Sequence, residues 1–232
     1  LEARNFRARV NFLVGNMTAA KKGASSLVQD EPGFSECHLL MAQIQLHDQE
    51  LVQAQSSLEM GLAHNFEVRE WPLFNILRAR TACQRGELED AQKIIDALVA
   101  LPSVSDPKGV PKSSSKAIAH ITPSERAAVF LEQAHIYDRR SKYDEAIKVL
   151  QGALNSFRGT KDEASFTIAL SEMAAKHGDV DHALAILRSV PKTASHFLRA
   201  RLALGRLLLR ERNDKKGFIR AHKDLCDVQE NE

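Results

Sequence analysis

Glu132 and His135 are the residues of this sequence whose types and spacing come closest to a catalytic or metal-binding motif. A helix would place the two on one face, because they are three positions apart, as in one half of a carboxylate-bridged di-metal site. Such a site needs a second Glu-x-x-His sequence and two further carboxylates from facing helices, and the chain contains no second copy. We therefore expect an exposed helical pair at this position and no metal centre.

The other histidines and the cysteines offer no alternative chemistry. His177 and His182 are five positions apart, a spacing that does not bring both to one helical face. No Cys-x-x-Cys pair accompanies them. The chain also has no phosphate-binding glycine loop, no Gly-x-Ser-x-Gly sequence and no recognisable nucleophile motif. We expect no catalytic residue, no metal and no cofactor, and hence a protein that is not an enzyme.

The stretch 125–160 indicates the unit from which the chain is built. Apolar residues recur at helical spacing in both halves of this stretch, and a polar turn separates the halves. The small residues Ala134 and Ala146 are twelve positions apart, as expected where two antiparallel helices cross closely. The stretch therefore predicts a helical hairpin and resembles the tetratricopeptide repeat, a unit of about 34 residues.

The same pair of small residues recurs along the whole chain. The pairs are Ala8 with Ala20, Ala42 with Ala54, Ala79 with Ala91, Ala134 with Ala146, Ser171 with Ala183, and Gly205 with Gly217. Their second members follow one another at intervals of 34, 37, 55, 37 and 34 residues. In three of the six pairs a glycine stands five positions before the second member, at Gly15, Gly86 and Gly178. The pattern predicts an all-α fold, a right-handed tetratricopeptide-repeat α-solenoid of about twelve helices, each of about 10 to 16 residues.

The 55-residue interval marks an insertion between two groups of three repeats. We expect the repeats at about 1–33, 34–70, 71–102, 123–160, 161–192 and 193–228, with a short acidic tail. The groups 1–102 and 123–232 then flank the insertion 103–122, whose prolines, serines and lysines predict a flexible surface loop. Its Ser113–Ser115 triplet is a candidate for phosphorylation, although a plain solvated linker is the preferred interpretation. A capping box at Thr122–Glu125 predicts the next helix start.

Composition agrees with a repeat protein. A chain of 232 residues is long for one core, but each repeat of a solenoid packs only on its neighbours. Cys37, Cys83 and Cys226 are few and far apart, which favours buried thiols in a reducing compartment. No apolar run reaches the ~18 residues of a membrane span. We expect a soluble intracellular segment of a longer protein, with further repeats before the apolar first helix.

Basic residues gather in the last repeat. From position 188 to 223 the chain carries eleven Lys and Arg and two acids, a net charge of +9 (11 − 2). The candidate partner-binding residues are Arg199, Arg206, Arg210, Lys215, Lys216 and Arg220. The three arginines share one helical face, and the other three continue the charge into the next helix. They predict contact with an acidic patch of a neighbouring subunit or an acidic cargo segment, with a merely solvated face as the alternative. Nucleic acid is less favoured because stacking aromatics are nearly missing.

Inward-facing positions on the first helices are expected to form a groove. They come in pairs: Asn5 with Arg9, Leu39 with Gln43, Ile76 with Arg80, Leu131 with His135, Ile168 with Glu172, and Leu202 with Arg206. This mixture of apolar and basic side chains suits a helix or an extended segment of a partner protein. No three neighbouring pairs supply the lysine and asparagine donors of a chaperone-binding carboxylate clamp. Trp71 is expected to pack between hairpins rather than to bind a partner.

At a finer level the chain resembles the tetratricopeptide repeat protein 21 family, the large repeat subunit of intraflagellar transport complex A. The matching stretches are ARVNFLVGNMTAA, GLAHNFEVREWPLFNILRAR, the insertion after Leu101-Pro102, KYDEAIKVLQGALNSFRGT and GDVDHALAILRSV. The resemblance covers nearly all of the chain in the same order.

The resemblance implies a non-enzymatic scaffold that contacts the other subunits of this complex, in the cytoplasm, the cilium and its basal body. It implies a role in moving cargo from the ciliary tip to the base and in admitting membrane cargo to cilia. No small-molecule substrate is expected. The alternative is a scaffold of another multisubunit intracellular assembly, for instance one like the anaphase-promoting complex or an RNA-processing complex, and a helical-repeat nucleic-acid binder is the third class.

Overall fold

The computed structural model describes residues 1–101, 104 and 121–229, with side chains described as far as residue 224. Over these residues the chain forms twelve α-helices and one 3-10 helix, and no β-strand. The all-α helical-repeat fold predicted from the spacing of small residues is therefore confirmed. The chain divides into two compact units, unit 1 (residues 1–141) and unit 2 (residues 142–232).

Unit 1 contains three complete hairpins and the first helix of the next. Its helices are α1 (Glu2–Leu13), α2 (Met17–Asp30), α3 (Ser35–His47), α4 (Leu51–His64), α5 (Pro72–Arg85), α6 (Leu88–Val99) and α7 (Pro123–Arg139), with the 3-10 helix at Phe66–Glu70. In each hairpin the two helices pack on each other, antiparallel because the turns are only two or three residues long. Each second helix also packs on the first helix of the next hairpin, as α2 packs on α3.

Unit 2 repeats this arrangement. Its helices are α8 (Tyr143–Ser156), α9 (Glu163–Lys176), α10 (Val180–Arg188), α11 (Phe197–Arg212) and α12 (Lys215–Gln229). Helices α9 and α10 form one hairpin and α11 and α12 another, while α8 packs on α9 and α10 packs on α11. The expected helix length was wrong for α7, with 17 residues, and for α10, with 9. Helix α10 is short because Pro191 follows its C-cap and cannot continue the helix.

Most of the small residues predicted at the helix crossings are buried. Eleven of the twelve are buried, and the exception, Gly217, is half-exposed. Those of the first five pairs are Ala8, Ala20, Ala42, Ala54, Ala79, Ala91, Ala134, Ala146, Ser171 and Ala183, each with at most 2% of its surface exposed. Their burial gives these residues a packing role.

The last pair departs from the expected close crossing. A Cβ on Gly205 would lie 3.0 Å from the ring of His222 and 3.4 Å from Phe218. The neighbours of a Cβ on Gly217 would be Asp214 and Leu208. In this hairpin the space beside Gly205 is thus taken by the His222 ring.

The hairpin turns share one backbone conformation. A left-handed residue stands in every described turn between the two helices of a repeat: Gly15, Gln49, Gly86, Ser141, Gly178 and Asn213, with φ between 49° and 90°. Five of the six stand five positions before the second small residue, where the sequence has glycine in only three repeats. Asn213 is one position later, in the hairpin where the His222 ring lies beside Gly205. The turn conformation is thus kept even where glutamine or serine must adopt it at some cost.

A longer linker between repeats accounts for the first 37-residue interval, because seven residues separate α4 from α5 and only four separate α2 from α3. Between α4 and α5 the chain makes the 3-10 helix, begun by the Asn65 side chain, which accepts a hydrogen bond from the backbone N–H of Glu67 at 3.0 Å. Val68 at its centre is fully buried in the core formed by α3, α4 and α5. The extra residues of this interval are therefore a packed element of the repeat.

The start of α7 joins the core of the third hairpin. The predicted capping box is present, with the Thr122 hydroxyl accepting from the Glu125 N–H and the Glu125 carboxylate accepting from the Thr122 N–H. Val104 is fully buried among residues of α5, α6 and α7, and its carbonyl oxygen accepts a hydrogen bond of 2.6 Å from Nε of Arg126. The remainder of the expected 103–122 loop lies outside the described residues, apart from 121 and 122.

Helix α1 differs from the later first helices in what covers it. Phe6 is 68% exposed, whereas Leu40, which occupies the same place 34 residues later, is 3% exposed. Leu40 is buried because α2 packs on α3 at this point. Val10 and Leu13 continue the exposed apolar face of α1.

Candidate partner-binding grooves

A first groove lies along the first helices of unit 1 and has a cavity volume of about 220 Å³. It is lined by Asn5, Arg9, Glu36, Leu39, Leu40, Gln43, Trp71, Pro72, Leu73 and Glu125. Four of these are predicted inward-facing residues, namely the first two pairs. The ring of Trp71 packs on the core of α3 to α5 and also lines the groove, so the expected packing role is accompanied by a surface role.

One residue from each of the third and fourth inward-facing pairs, Arg80 and His135, belongs to a charged cluster in unit 1. Nη2 of Arg80 on α5 lies 2.8 Å from the carboxylate of Glu132 on α7, and Glu132 is only 5% exposed. Nδ1 of His135 lies 3.6 Å from the same carboxylate and 3.9 Å from Sγ of Cys83. The expectation of an exposed Glu132–His135 pair was therefore wrong, because α5 covers the glutamate.

The charges of this cluster shift one another's pKa values. Burial disfavours the charged form of Glu132, but the nearby His135 and the hydrogen-bonded Arg80 outweigh it and hold the pKa of Glu132 below its usual value. The contacts of His135 with Cys83 and Glu132 raise its pKa to about 9. The cluster is thus a buried ion pair with a cationic histidine at its edge. It joins two successive first helices and brings no nucleophile to an open site.

A second groove, which we call the arginine groove, lies in unit 2 between α9 and α11 and has a cavity volume of about 470 Å³. It is lined by Ile168, Ser171, Glu172, Arg199, Leu202, Ala203, Arg206, Leu207 and Arg210. The last two predicted inward-facing pairs are among these residues, as are three of the six candidate partner-binding residues. All three arginines are exposed.

The surroundings of the three arginines leave their guanidinium groups largely available. Nη2 of Arg199 makes one long hydrogen bond of 3.4 Å to Oγ of Ser165, and Nε of Arg210 lies 2.6 Å from the neighbouring Glu211 carboxylate. For Arg206 no hydrogen bond or ion pair is found within the described part of the chain. Exposed ion pairs like that of Arg210 stabilise little, so a partner carboxylate could replace Glu211.

The other three candidates, Lys215, Lys216 and Arg220, are placed elsewhere. They are exposed on α12 but do not line the arginine groove. The net charge of +9 counted from the sequence is also partly neutralised by acids just outside that stretch. Arg212 pairs with Asp181 at 2.6 Å and Arg201 with Asp224 at 3.8 Å.

The remaining residues considered for chemistry stay apart from both grooves. Cys37 and Cys83 are buried free thiols, and burial raises the pKa of Cys37 to about 11. His177 stacks on Tyr143 with ring centroids 4.0 Å apart, and His182 is exposed. Among the described residues no group of histidine, cysteine and acidic side chains could hold a metal ion. None of the described helices has the length and apolarity needed to cross a membrane.

Long-range polar interactions were not foreseen from the sequence, and two of them involve α7. The Arg80–Glu132 pair joins residues 52 positions apart, and the Arg126–Val104 hydrogen bond joins residues 22 positions apart. Arg80 and His135 were both assigned to inward-facing positions, on neighbouring first helices, and Glu132 precedes His135 by three residues. This placement was the signal in the sequence from which the ion pair could have been predicted.

Solved structures of low sequence identity share the fold. A tetratricopeptide repeat protein of Thermus thermophilus superposes with a TM-score of 0.61 at 15% identity, covering 97% of this chain and 98% of that one. In the Cut9–Hcn1 hetero-tetramer of the anaphase-promoting complex, one chain matches with a TM-score of 0.60 at 15% identity, over 99% of this chain and 40% of that one. At these identities the likeness concerns the fold alone.

Curated relatives match at higher identity. Tetratricopeptide repeat protein 21B of Mus musculus is 32% identical over 220 residues, and that of Xenopus laevis is 31% identical over 224 residues. A Caenorhabditis elegans homolog of tetratricopeptide repeat protein 21 is 25% identical over 223 residues. These matches cover 95%, 97% and 96% of this chain respectively. The chain spans 17% of the length of the mouse and frog proteins.

Two family models match the chain. The model described as tetratricopeptide repeat protein 21 second ARM domain matches residues 1–49. The model described as tetratricopeptide repeat protein 21 ARM repeat matches residues 66–225, well over half of the 232 residues. With six repeats in register and this extent of match, the chain belongs to the tetratricopeptide repeat protein 21 family.

Proposed function

We propose that this chain is a segment of a non-enzymatic scaffold subunit of intraflagellar transport complex A, acting in retrograde ciliary transport and in the entry of membrane cargo. The observation that carries the proposal is the family match over residues 66–225. Proteins built from helical repeats bind other proteins through the surfaces of their stacked hairpins. The localisation in cytoplasm, cilium and basal body is part of the same proposal.

The two grooves support a binding role. Each lies on the first helices of neighbouring repeats and mixes apolar with charged side chains. Such a lining suits a helix or an extended protein segment of a partner protein. The charged cluster of Arg80, Glu132 and His135 holds two of these helices together and so stabilises the binding surface.

A replacement experiment in ciliated cells tests the proposal. The endogenous full-length protein is replaced by a form in which the region equivalent to residues 1–232 is exchanged for an unrelated helical-repeat array of equal length. We expect the exchanged form to lose subunits of the complex on affinity purification, and transported particles to accumulate at ciliary tips. Normal subunit composition together with normal return of particles to the ciliary base would overturn the proposal for this segment.

A scaffold role in a different assembly would give another outcome. The unaltered full-length protein would then co-purify with a stoichiometric set of other proteins, and ciliary transport would be unaffected by its removal. That result rejects complex A while it retains the scaffold role.

A further inference from the structure

We propose that the arginine groove of unit 2 binds an acidic segment of another protein, with arginine–carboxylate pairs along its rim and an apolar side chain on its floor. The inference rests on the proposed scaffold function and specifies the partner chemistry of one surface. It is carried by the geometry of the groove residues on α9 and α11.

The spacing of the arginines defines the length of the bound segment. Arg199, Arg206 and Arg210 are separated by seven and four residues, so they lie on one side of α11. With a rise of 1.5 Å per residue, the eleven steps from Arg199 to Arg210 extend over about 16 Å. A partner with carboxylates distributed over a similar length can pair with all three, either as a short helix or as an extended strand.

The type of cation favours carboxylates as the ligand. An arginine presents a planar fork of donors that can pair with both oxygens of one carboxylate. The charged lining consists of three arginines and Glu172, a net of +2 (3 − 1), so an acidic segment would reduce the repulsion among the arginines. Glu172 limits how many carboxylates fit, because it repels an acid placed directly over it.

The floor of the groove adds an apolar requirement. Leu202 is 38% exposed and lies between the arginines, beside Ile168 and Ala203. Burial of an apolar side chain against these residues would add affinity that does not depend on salt. The partner segment is therefore expected to combine acidic residues with at least one large apolar residue.

The same lining argues against single-stranded nucleic acid. Proteins that bind it without sequence preference stack its bases on aromatic side chains. The groove lining contains no aromatic residue. Phe197 of α11 is buried with the Arg201 guanidinium 4.7 Å from its ring centre, and Phe218 stacks on His222 at 4.1 Å.

Site-specific cross-linking in the full-length protein identifies what occupies the groove. A photo-reactive amino acid is introduced at Leu202 in the groove and, in a separate protein, at Ile219, which is 54% exposed on α12 outside it. After irradiation in ciliated cells, the attached peptide is sequenced by mass spectrometry. We expect Leu202, and not Ile219, to capture one defined segment in which Asp and Glu outnumber Lys and Arg.

Two variants of equal charge test whether the groove arginines are responsible. R199E/R206E/R210E changes the groove, and K215E/K216E/R220E changes the net charge by the same amount on α12 outside it. The captured segment is synthesised as a peptide and titrated onto each full-length protein at low and at physiological salt. We expect the groove variant to bind the peptide about tenfold more weakly, and the α12 variant to bind it within about threefold of the parent.

The outcomes separate this inference from the proposed function. If the full-length protein fails to enter any assembly, the scaffold function is wrong. If it assembles normally but Leu202 captures nothing, or captures a basic segment or nucleic acid, the acidic-partner inference is wrong. Equal weakening by both variants would also overturn it, because the effect would then follow net charge rather than the groove. Circular dichroism of both variants establishes that the helices are retained.

Discussion

Arg80 and Glu132 form an ion pair of 2.8 Å between the first helices of the third and fourth repeats, 52 residues apart in sequence. The carboxylate of Glu132 is buried, whereas the side chain of Arg80 is 40% exposed. His135 completes the cluster from the side of Glu132. The first helices of the third and fourth repeats are thus held together by charge as well as by apolar contacts.

Removal of one partner of this pair should destabilise unit 1. Arg80→Met leaves the buried Glu132 carboxylate with only His135, and we expect a loss on the order of 1–3 kcal/mol in the free energy of unfolding. The double variant Arg80→Met/Glu132→Met should recover most of this loss, because it removes the buried charge.

Arg85→Met is the matched control for that prediction. Arg85 lies on the same helix and pairs with Glu87 at 3.0 Å, but both side chains are exposed, so a loss below about 1 kcal/mol is expected. Urea denaturation followed by circular dichroism measures all three variants. Equal losses for Arg80→Met and Arg85→Met would show that the burial of Glu132 has no energetic consequence.

The stability of unit 1 should fall with rising pH above neutrality. The folded-state pKa of His135, about 9, is above its ordinary value of 6.5, so the protonated ring stabilises the folded chain. This contribution is complete below about pH 6.5 and is lost as the pH rises through about 9.

Unfolding in urea at about pH 6, 7.5 and 9.5 tests this slope. His135→Gln should flatten it, because no titrating ring then faces Cys83, Glu132 and Arg80. His182→Gln, which alters an exposed histidine, should leave it unchanged. A slope that survives His135→Gln would assign the pH dependence to other groups.

A glycine-to-alanine substitution should have opposite effects at a turn glycine with positive φ and at a glycine within a helix. Gly86→Ala places a Cβ on a residue with φ of 88° and should cost about 1–2 kcal/mol. Gly152→Ala, in the exposed middle of α8 with no atom near the added Cβ, should stabilise by about 0.5–1 kcal/mol. Gln49→Gly should stabilise by up to about 1 kcal/mol, since glutamine adopts φ of 62° there. Thermal unfolding measures the three, and a loss from Gln49→Gly would contradict the turn assignment.

The insertion should contribute to stability through its two ends, where Val104 and Ile121 pack on the core of the third hairpin and Thr122 caps α7. Val104→Ala removes two buried methyl groups from the core of the third hairpin and should cost about 1–2 kcal/mol. Replacement of residues 105–120 by a glycine-serine linker of equal length should change the stability by less than about 0.5 kcal/mol, because their composition offers little apolar surface. A larger loss from the linker than from Val104→Ala would mean that the insertion packs across the repeats.

Much of the fold could be predicted from the sequence because the same pair of small residues recurs in every repeat. The pairs of small residues gave the hairpins, and Ala20, Ala54 and Ala183 are all fully buried where that rule placed them. A glycine before Ala91 located a turn whose conformation also holds at Gln49. Long-range charge pairing could not be predicted in the same way, because the exposure of a glutamate on α7 depends on how α5 lies over it. The spacing of residues within one helix carries no information on how a second helix packs over it.

The candidate site could be predicted only in part. Arg199, Arg206 and Arg210 share a helical face, so their gathering in one groove follows from α-helical geometry. The placement of Lys215 and Lys216 depends on where α12 begins, and the last turn, with its left-handed asparagine, is shifted by one residue. Counting charge along the sequence therefore overstated the basic surface that one partner could contact.

The central claim is that this segment is part of a scaffold that holds together intraflagellar transport complex A. Native mass spectrometry of the complex, purified through the full-length protein from ciliated cells, tests it most directly. Intact protein should give a single assembly containing the other complex subunits in fixed stoichiometry, and the form with residues 1–232 exchanged for an unrelated array should give subcomplexes that lack at least one subunit. The same mass and composition for both forms would contradict the claim.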